Sequence, residues 1–351
     1  MNNDITDGLN CPVPKNDYDT IVLAHGGGGT LTHRLIEQIF KRYFSNPELN
    51  LMHDGAVLNV EKGRIALSTD SYVVSPIFFP GGTIGELAVN GTVNDLAMCG
   101  AQPTYLSASF ILEEGLPLSE LESIVVAMAA AAERAGVKIV TGDTKVVPRG
   151  KADKVFITTA GVGVVPPGRE ILPSRIRSGD TIMISGTIAD HGMAIMSVRE
   201  GLEFESEIQS DSCALNGLVE EMYAVTSNIN FLRDPTRGGV ASTLNEIAQS
   251  AHKGIRIIEQ SVPVRESVRS ACEILGFDPL YVANEGKLIA IVAPEDAEKI
   301  LAVMRRHQYG TDAAIIGTVI EDHPGVVMLR TTIGGDRVVD MISGEQLPRI
   351  C

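Results

Sequence analysis

The chain has 351 residues, 44 % of them hydrophobic, with no tryptophan and 5 % aromatics, so it can bury aliphatic cores packed with alanine and glycine. Its 29 Lys and Arg against 44 Asp and Glu leave a formal charge of −15, which excludes a broad electrostatic grip on nucleic acid and disfavours an anionic membrane surface. The five cysteines, at 11, 99, 213, 272 and 351, form no CxxC pair and are odd in number, which argues against a disulfide framework or a zinc knuckle. The opening MNNDITDGLN has no basic or apolar leader region, and no run of about 18 apolar residues follows, so a cytoplasmic location is expected.

Residues 1–18 read as a polar arm. LAHGGGGT at 23–30 leads into a helical stretch, LTHRLIEQIF. RIALSTDSYVV at 64–74 reads as a buried strand with an acidic exit, and GELAVNGTVNDLAMCGA at 85–101 as a small-residue helix packed closely on a sheet. YLSASFIL is a strand. SELESIVVAMAAAAERAG at 119–136 is a helix with Leu121, Ile124, Val125 and Met128 on one face. Ser119 and Glu122 have the spacing of a capping box there, and Gly136 is placed to end it. VKIVTGDTKVV and KVFITTAGVGVV are strands.

Pro166-Pro167-Gly168 marks a domain boundary. Beyond it come a strand at TIMISG, helices near 189–200 and 211–226, a strand at KLIAIVAP, a helix near 295–307 and a strand at AAIIGTVI. Strands and helices alternate in both halves, so the class is α/β (α+β). The expected organisation is an arm at 1–18, domains at 19–165 and 166–340, and a tail at 341–351 ending in Pro348-Arg349-Ile350-Cys351.

Several short motifs carry chemistry. Gly26, Gly27, Gly28 and Gly29 precede a helix, where backbone N–H groups can approach an anion without a Cβ in the way. Neither a P-loop GKS/T nor a GxGxxG is present, and the same run also suits a plain turn. Asp70, Asp95, Asp143 and Asp234 each sit beside a small residue or glycine at an element junction. Converging, they would make a hard-oxygen site for Mg²⁺; singly, they would serve as turn or cap formers. His25 and His191 are phosphate contacts or structural histidines. Cys99 and Cys213 are expected to be buried and inert, and the methionines to be core packing.

The glycine loop, STD, NDLAMCGA, TGDTK and DPTRGG, in this order, resemble the ATP-dependent synthetase superfamily that includes aminoimidazole ribonucleotide synthetase, selenophosphate synthetase and thiamine monophosphate kinase. FILEEGLP, TGDTKVVPRG and the terminal PRIC narrow the resemblance to the HypE family of hydrogenase maturation factors, which are carbamoyl dehydratases. The resemblance implies an N-terminal domain whose strands close across a two-fold axis into a dimeric β-barrel, a second α/β domain and a homodimer. It implies ATP and Mg²⁺ as cofactors, a carbamoyltransferase partner (HypF) and a HypC–HypD iron scaffold. A carbamoyl group loaded on the terminal sulfur, here Cys351, would be activated by ATP and dehydrated to an S-cyanide, for delivery to iron during [NiFe]-hydrogenase assembly.

Residue by residue, the resemblance makes Asp70, Asp95 and Asp234 ligands of Mg²⁺-ATP, with Asp143 a fourth. Thr69, Asn94, Thr144, Arg237 and the four glycines become nucleotide contacts. Glu285 becomes the base for the amide protons, and Lys145 the group that stabilises the oxyanion or the phosphate. The ten residues from 342 to 351 reach at most about 33–36 Å when extended, long enough for an arm that visits two active sites. Two alternatives remain at this stage. In a selenophosphate-synthetase-like enzyme, Cys11 and Lys15 should form that family's reactive pair, but NCPVPKND lacks its glycine-rich pattern. In a non-catalytic ATP-binding scaffold, Cys351 would be dispensable.

Overall fold

The computed structural model describes residues 18–22, 25, 34–46, 63–201, 208–341 and 350–351. The expected arm, the glycine loop Gly26 to Gly29, and Pro348 and Arg349 lie outside them. The first helical segment is a π-helical turn, Ile36–Phe40, running into α1 (Lys41–Phe44). Two sheets then organise the chain.

The first sheet has the order β1 (Arg64–Tyr72), β6 (Val155–Val165), β4 (Gln102–Glu113), β5 (Lys138–Val147). β6 lies antiparallel to both neighbours, and β4 and β5 are parallel. A parallel pair needs a crossover, and α3 (Leu118–Ala135) supplies it. The predicted face of α3 is fully buried at Leu121, Ile124, Val125 and Met128, and Gly136 closes it with φ of 70°. The capping box does not form. The helix starts one residue before Ser119, on Pro117, so Ser119 lies inside the first turn, and its backbone carbonyl accepts from Ser123.

Between sheet and α3 lies α2 (Ile84–Met98), buried around nearly its whole circumference. That is why its sequence is Gly-, Ala- and Val-rich rather than amphipathic. A Cβ on Gly85 would come within 2.4 Å of the Ile124 carbonyl, and one on Gly91 within 2.2 Å of the Tyr72 hydroxyl. Thr83 caps the helix, accepting from the N–H groups of Gly85 and Glu86. A two-residue hairpin, β2 (Phe78–Phe79) with β3 (Gly82–Thr83), leads into it.

The second sheet has seven strands in the order β13 (Asp336–Val339), β12 (Val327–Arg330), β9 (Gly254–Ile258), β11 (Ala314–Ile320), β7 (Thr181–Ile184), β10 (Ile289–Val292), β8 (Ile229–Arg233). Its helices are α4 (Asp190–Glu200), α5 (Asn216–Val225), α6 (Gly239–Ala251), α7 (Glu266–Leu275) and α8 (Ala297–Met304). The helix expected from 211 starts only at Asn216. Residues 208–215 are non-helical because other parts of the chain bind their polar groups: the Ser210 N–H donates to the Pro80 carbonyl and the Leu215 N–H to Asn94 Oδ1. Cys213 is buried as expected, but Cys99 is exposed, because it caps the C-terminus of α2 one residue past the last buried turn. Among the described residues, no helix is long and apolar enough to cross a membrane.

Candidate active site

β1 places Ser68, Asp70 and Tyr72 on one face by the two-residue alternation of a strand. That face looks onto α2, where Asp95 accepts a 2.6 Å hydrogen bond from the Ser68 hydroxyl. Asp234, in the turn after β8, completes an acidic group. Burial, then Asp95, and more weakly Asp70, push its pKa up to about 7. The Asp95 carboxyl is raised too, by burial first and then by Asp70, against the Ser68 bond and the guanidinium groups of Arg233 and Arg237. Like charges in one partly desolvated site destabilise each other's ionised forms, so the group lacks positive charge.

The chain's last two residues lie in the same place. Ile350 is 3 % exposed and joins the core that includes Ile195 and Ala283. The terminus is held by its own main-chain oxygens: the Val73 N–H donates to the Cys351 carbonyl at 3.1 Å, and the His191 side chain meets the Ile350 carbonyl through Nε2 at 2.9 Å. The half-buried Cys351 thiol lies beside Glu285 and faces Arg237 and Asp70. Burial first, and then Glu285, push that thiol well above its usual range, so it rests protonated. His191 is fully buried and packs edge-on against Phe79. Its partner is therefore the arm, rather than a phosphate.

Glu285 is 4 % exposed, and its Oε1 is buried without a hydrogen-bond partner. Burial first, then Asp211, Asp234, Asp70 and Asp95, hold its carboxyl well above the carboxylate range. Glu285 is therefore not a surface turn residue. Lys287 is itself buried, and it pairs with Asp211 at 3.2 Å.

The other expected residues divide. Asn94 is buried, and its amide is spent on the chain: Nδ2 donates to the Cys213 and Glu285 carbonyls, and Oδ1 accepts from the Leu215 N–H. Thr69 lies on the opposite face of β1 from Asp70 and bonds the Thr159 carbonyl. Asp143, Thr144 and Lys145 sit on β5, at the far edge of the sheet from β1. Asp143 and Lys145 make an exposed ion pair at 3.3 Å, of the kind worth little by itself. His25, next to the glycine loop, accepts from the Val22 N–H through Nδ1.

Sequence reasoning missed Ser68, Tyr72, Ser210, Asp211 and Lys287. The first two could have been found from the strand period, since they flank Asp70 at two-residue spacing. Nothing local marks the others, because their role comes from contacts remote in sequence.

The AIR synthase related protein N-terminal domain family matches residues 52–165, and the corresponding C-terminal domain family matches residues 177–330. The carbamoyl dehydratase HypE of Azotobacter vinelandii is 57 % identical over 332 residues, covering 95 % of this chain and 97 % of that protein. A crystal structure of the hydrogenase maturation protein HypE in complex with ATP superposes with a TM-score of 0.92 at 52 % identity, over 95 % of this chain and all of that one. The HypE–HypF complex contains a chain that matches with a TM-score of 0.77 at 50 % identity, over 88 % of this chain and 99 % of that one.

Proposed function

The chain belongs to the HypE family of AIR synthase related proteins, and on that premise we propose that it uses ATP to dehydrate a carbamoyl group carried on its own Cys351. The observation that carries this reading is the seating of the Cys351 thiol in hydrogen-bond contact with the buried Glu285 carboxyl, whose Oε1 has no partner, within reach of the acidic group's field. The relative solved with ATP supports a nucleotide at this site. The relative solved with HypF supports that carbamoyltransferase as the partner that loads the sulfur.

The carboxamide oxygen attacks the γ-phosphorus of ATP and ADP leaves. The C–O bond to phosphate then breaks, and the two N–H protons depart as their electron pairs complete the C≡N bond. Glu285 takes one proton from nitrogen, its elevated proton affinity making its ionised form a strong base, and the departing phosphate oxygen takes the other. Arg237, which faces both Cys351 and Asp95, is placed to meet a phosphate. The product is an S-cyanide, and we infer that its cyano group goes to iron held by a HypC–HypD scaffold.

Asp70, Asp95 and Asp234 suit Mg²⁺-ATP. Among the described residues, no three acidic, His or Cys side chains close on a common point. However, Mg²⁺ at nucleotide sites needs only one or two carboxylates beside phosphate oxygens and water. Burial first, and the neighbouring carboxylates after it, raise Asp95 and Asp234, and the carboxylate part is what such an ion would offset. When bound, it would also offset charge on the transferring phosphoryl group.

Among the described residues, the four-stranded sheet is open at β1 and β5, and Ile65 and Leu67 on β1 are 57 % and 73 % exposed. We infer a homodimer in which two such sheets close into a barrel, covering these edges. Closure would bring the β5 strand, with Asp143, Thr144 and Lys145, against a partner sheet. The setting we infer is the cytoplasm.

The test is mass spectrometry of the C-terminal peptide. Incubation with the carbamoyl-loading partner should add a carbamoyl group at Cys351, and ATP should then remove the mass of one water. A loaded peptide that ATP leaves unchanged would sink the reading, and so would an ATP reaction that survives loss of Cys351.

A further inference from the structure

Residues 210–213 touch both halves of the site without belonging to either. The Ile350 carbonyl can only accept, so His191 Nε2 carries the proton, and Nδ1 must then accept from the Ser210 hydroxyl at 2.8 Å. Ser210 Oγ in turn accepts from the Ser212 N–H at 3.1 Å. This chain of donors fixes the neutral tautomer that clasps the arm. One residue along, Asp211 Oδ1 accepts from the Glu285 N–H at 3.0 Å. Its other oxygen pairs with Lys287 Nζ at 3.2 Å, with side-chain exposures of 3 % and 10 %. The two backbones are in tight contact, and a Cβ on Gly286 would come within 1.7 Å of the Asp211 carbonyl oxygen. Behind the segment lies a polar cavity of about 240 Å³ lined by Thr187, Ser210, Asp211, Arg265 and Lys287. Cys213 anchors one end of the segment in the core that holds Leu215 and Leu218, and these bonds fix the position of Ser210 and Asp211.

We propose that Ser210 and Asp211 form a strap that couples the seating of the C-terminal arm to the placement of the Glu285 base. Both are positioning residues, because neither is required to touch the reacting atoms. The proposal rests on the dehydratase reading. It adds that the base is fully placed only when the arm is home, so the site is assembled by its own substrate. Coupling of this kind is reciprocal: what weakens the strap's hold on Glu285 must loosen the arm, and removing the arm must loosen the strap's hold on Glu285.

Two measurements on the full chain test it. The first works in a Lys287→Met background, which avoids leaving a buried charge without its partner. There, Asp211→Asn keeps an acceptor for the Glu285 N–H and Asp211→Ala removes it. The readouts are the alkylation rate of Cys351 by iodoacetamide, followed on the C-terminal peptide, and the single-turnover dehydration rate of preloaded protein. The Lys287→Met/Asp211→Asn variant, which buries no unpaired charge, should stay within about threefold of wild type in both. The Ala variant should alkylate faster and dehydrate more slowly, each by roughly ten- to a hundredfold, the scale of one lost buried hydrogen bond. If the Ala variant alkylates at the rate of the Asn variant, the coupling is wrong, whatever happens to dehydration.

The second measurement needs no core substitution. Ending the chain at Arg349 should speed hydrogen exchange at the amides of Ser212 and Glu285 by tenfold or more; unchanged exchange at both overturns the proposal. These outcomes are separate from failure of the dehydratase reading, which would show as a preloaded wild-type protein that does not dehydrate at all.

Discussion

Replacing Ile350 with alanine should release the arm without touching the chemistry. Ile350 is 3 % exposed in the docked arm, whereas in a free arm it would meet water. The substitution removes three carbon groups, at about 0.8 kcal/mol each, or roughly 2.4 kcal/mol of docking free energy. That is about a fifty-fold fall in the docking constant. The main-chain bonds from His191 to Ile350 and from Val73 to Cys351 do not depend on the side chain and should survive in the docked fraction. The assay is the alkylation rate of Cys351 under conditions where opening is faster than reaction, so that the rate reports the open population. Ile350→Ala should alkylate tens of times faster than wild type, with ATP affinity unchanged and thermal unfolding lowered by no more than the lost docking free energy. A rate within twofold of wild type would refute the claim that burial of Ile350 holds the arm.

Three further outcomes follow from the same geometry. Glu285→Gln should bind ATP and accept the carbamoyl group yet convert it more slowly by about 10²–10⁴, the usual contribution of a general base; wild-type conversion in the C-terminal peptide would remove Glu285 from that role. Arm seating should weaken as pH rises, because the docked thiol has a raised pKa, so its docking contribution is complete below the free-thiol value and is lost as pH rises above it. Cys351 alkylation, corrected for the thiolate fraction of a model peptide, should therefore rise above about pH 8.5; a flat profile contradicts the assignment. Gly91→Ala would put a methyl group 2.2 Å from the Tyr72 hydroxyl. It should cost about 1–3 kcal/mol of stability, read as a Tm lower by several degrees.

Much of this fold is legible in the chain. The α3 face at Leu121, Ile124, Val125 and Met128 follows from helical periodicity, and Gly136 follows from the need for a left-handed residue at the helix end. The residues of α2 announce close packing because only small side chains fit between a sheet and a second helix. The capping box on Ser119 was misleading, since a proline two residues earlier starts the helix first. In the site, Cys351, Glu285 and the Asp70–Asp95–Asp234 group could be named from motifs. The sequence could not show that Asn94 spends its amide tying α2 to the Cys213 and Glu285 carbonyls, or that His191 clasps the arm. Those roles come from contacts between residues 119 to 191 apart along the chain, and no local pattern encodes them. The strap was mistaken for the start of a helix for the same reason: its polar groups are answered by Pro80, Asn90 and Asn94 from the other half of the molecule.

The central claim, that ATP removes the carboxamide oxygen from a carbamoyl group on Cys351, is tested most directly by following that oxygen. The protein is loaded with carbamoyl labelled at its carbonyl with oxygen-18 and given unlabelled ATP for one turnover in unlabelled water. Inorganic phosphate should then carry one labelled oxygen for each S-cyanide formed at Cys351. Phosphate without label, or label released as water while the cyanide forms, would contradict the account.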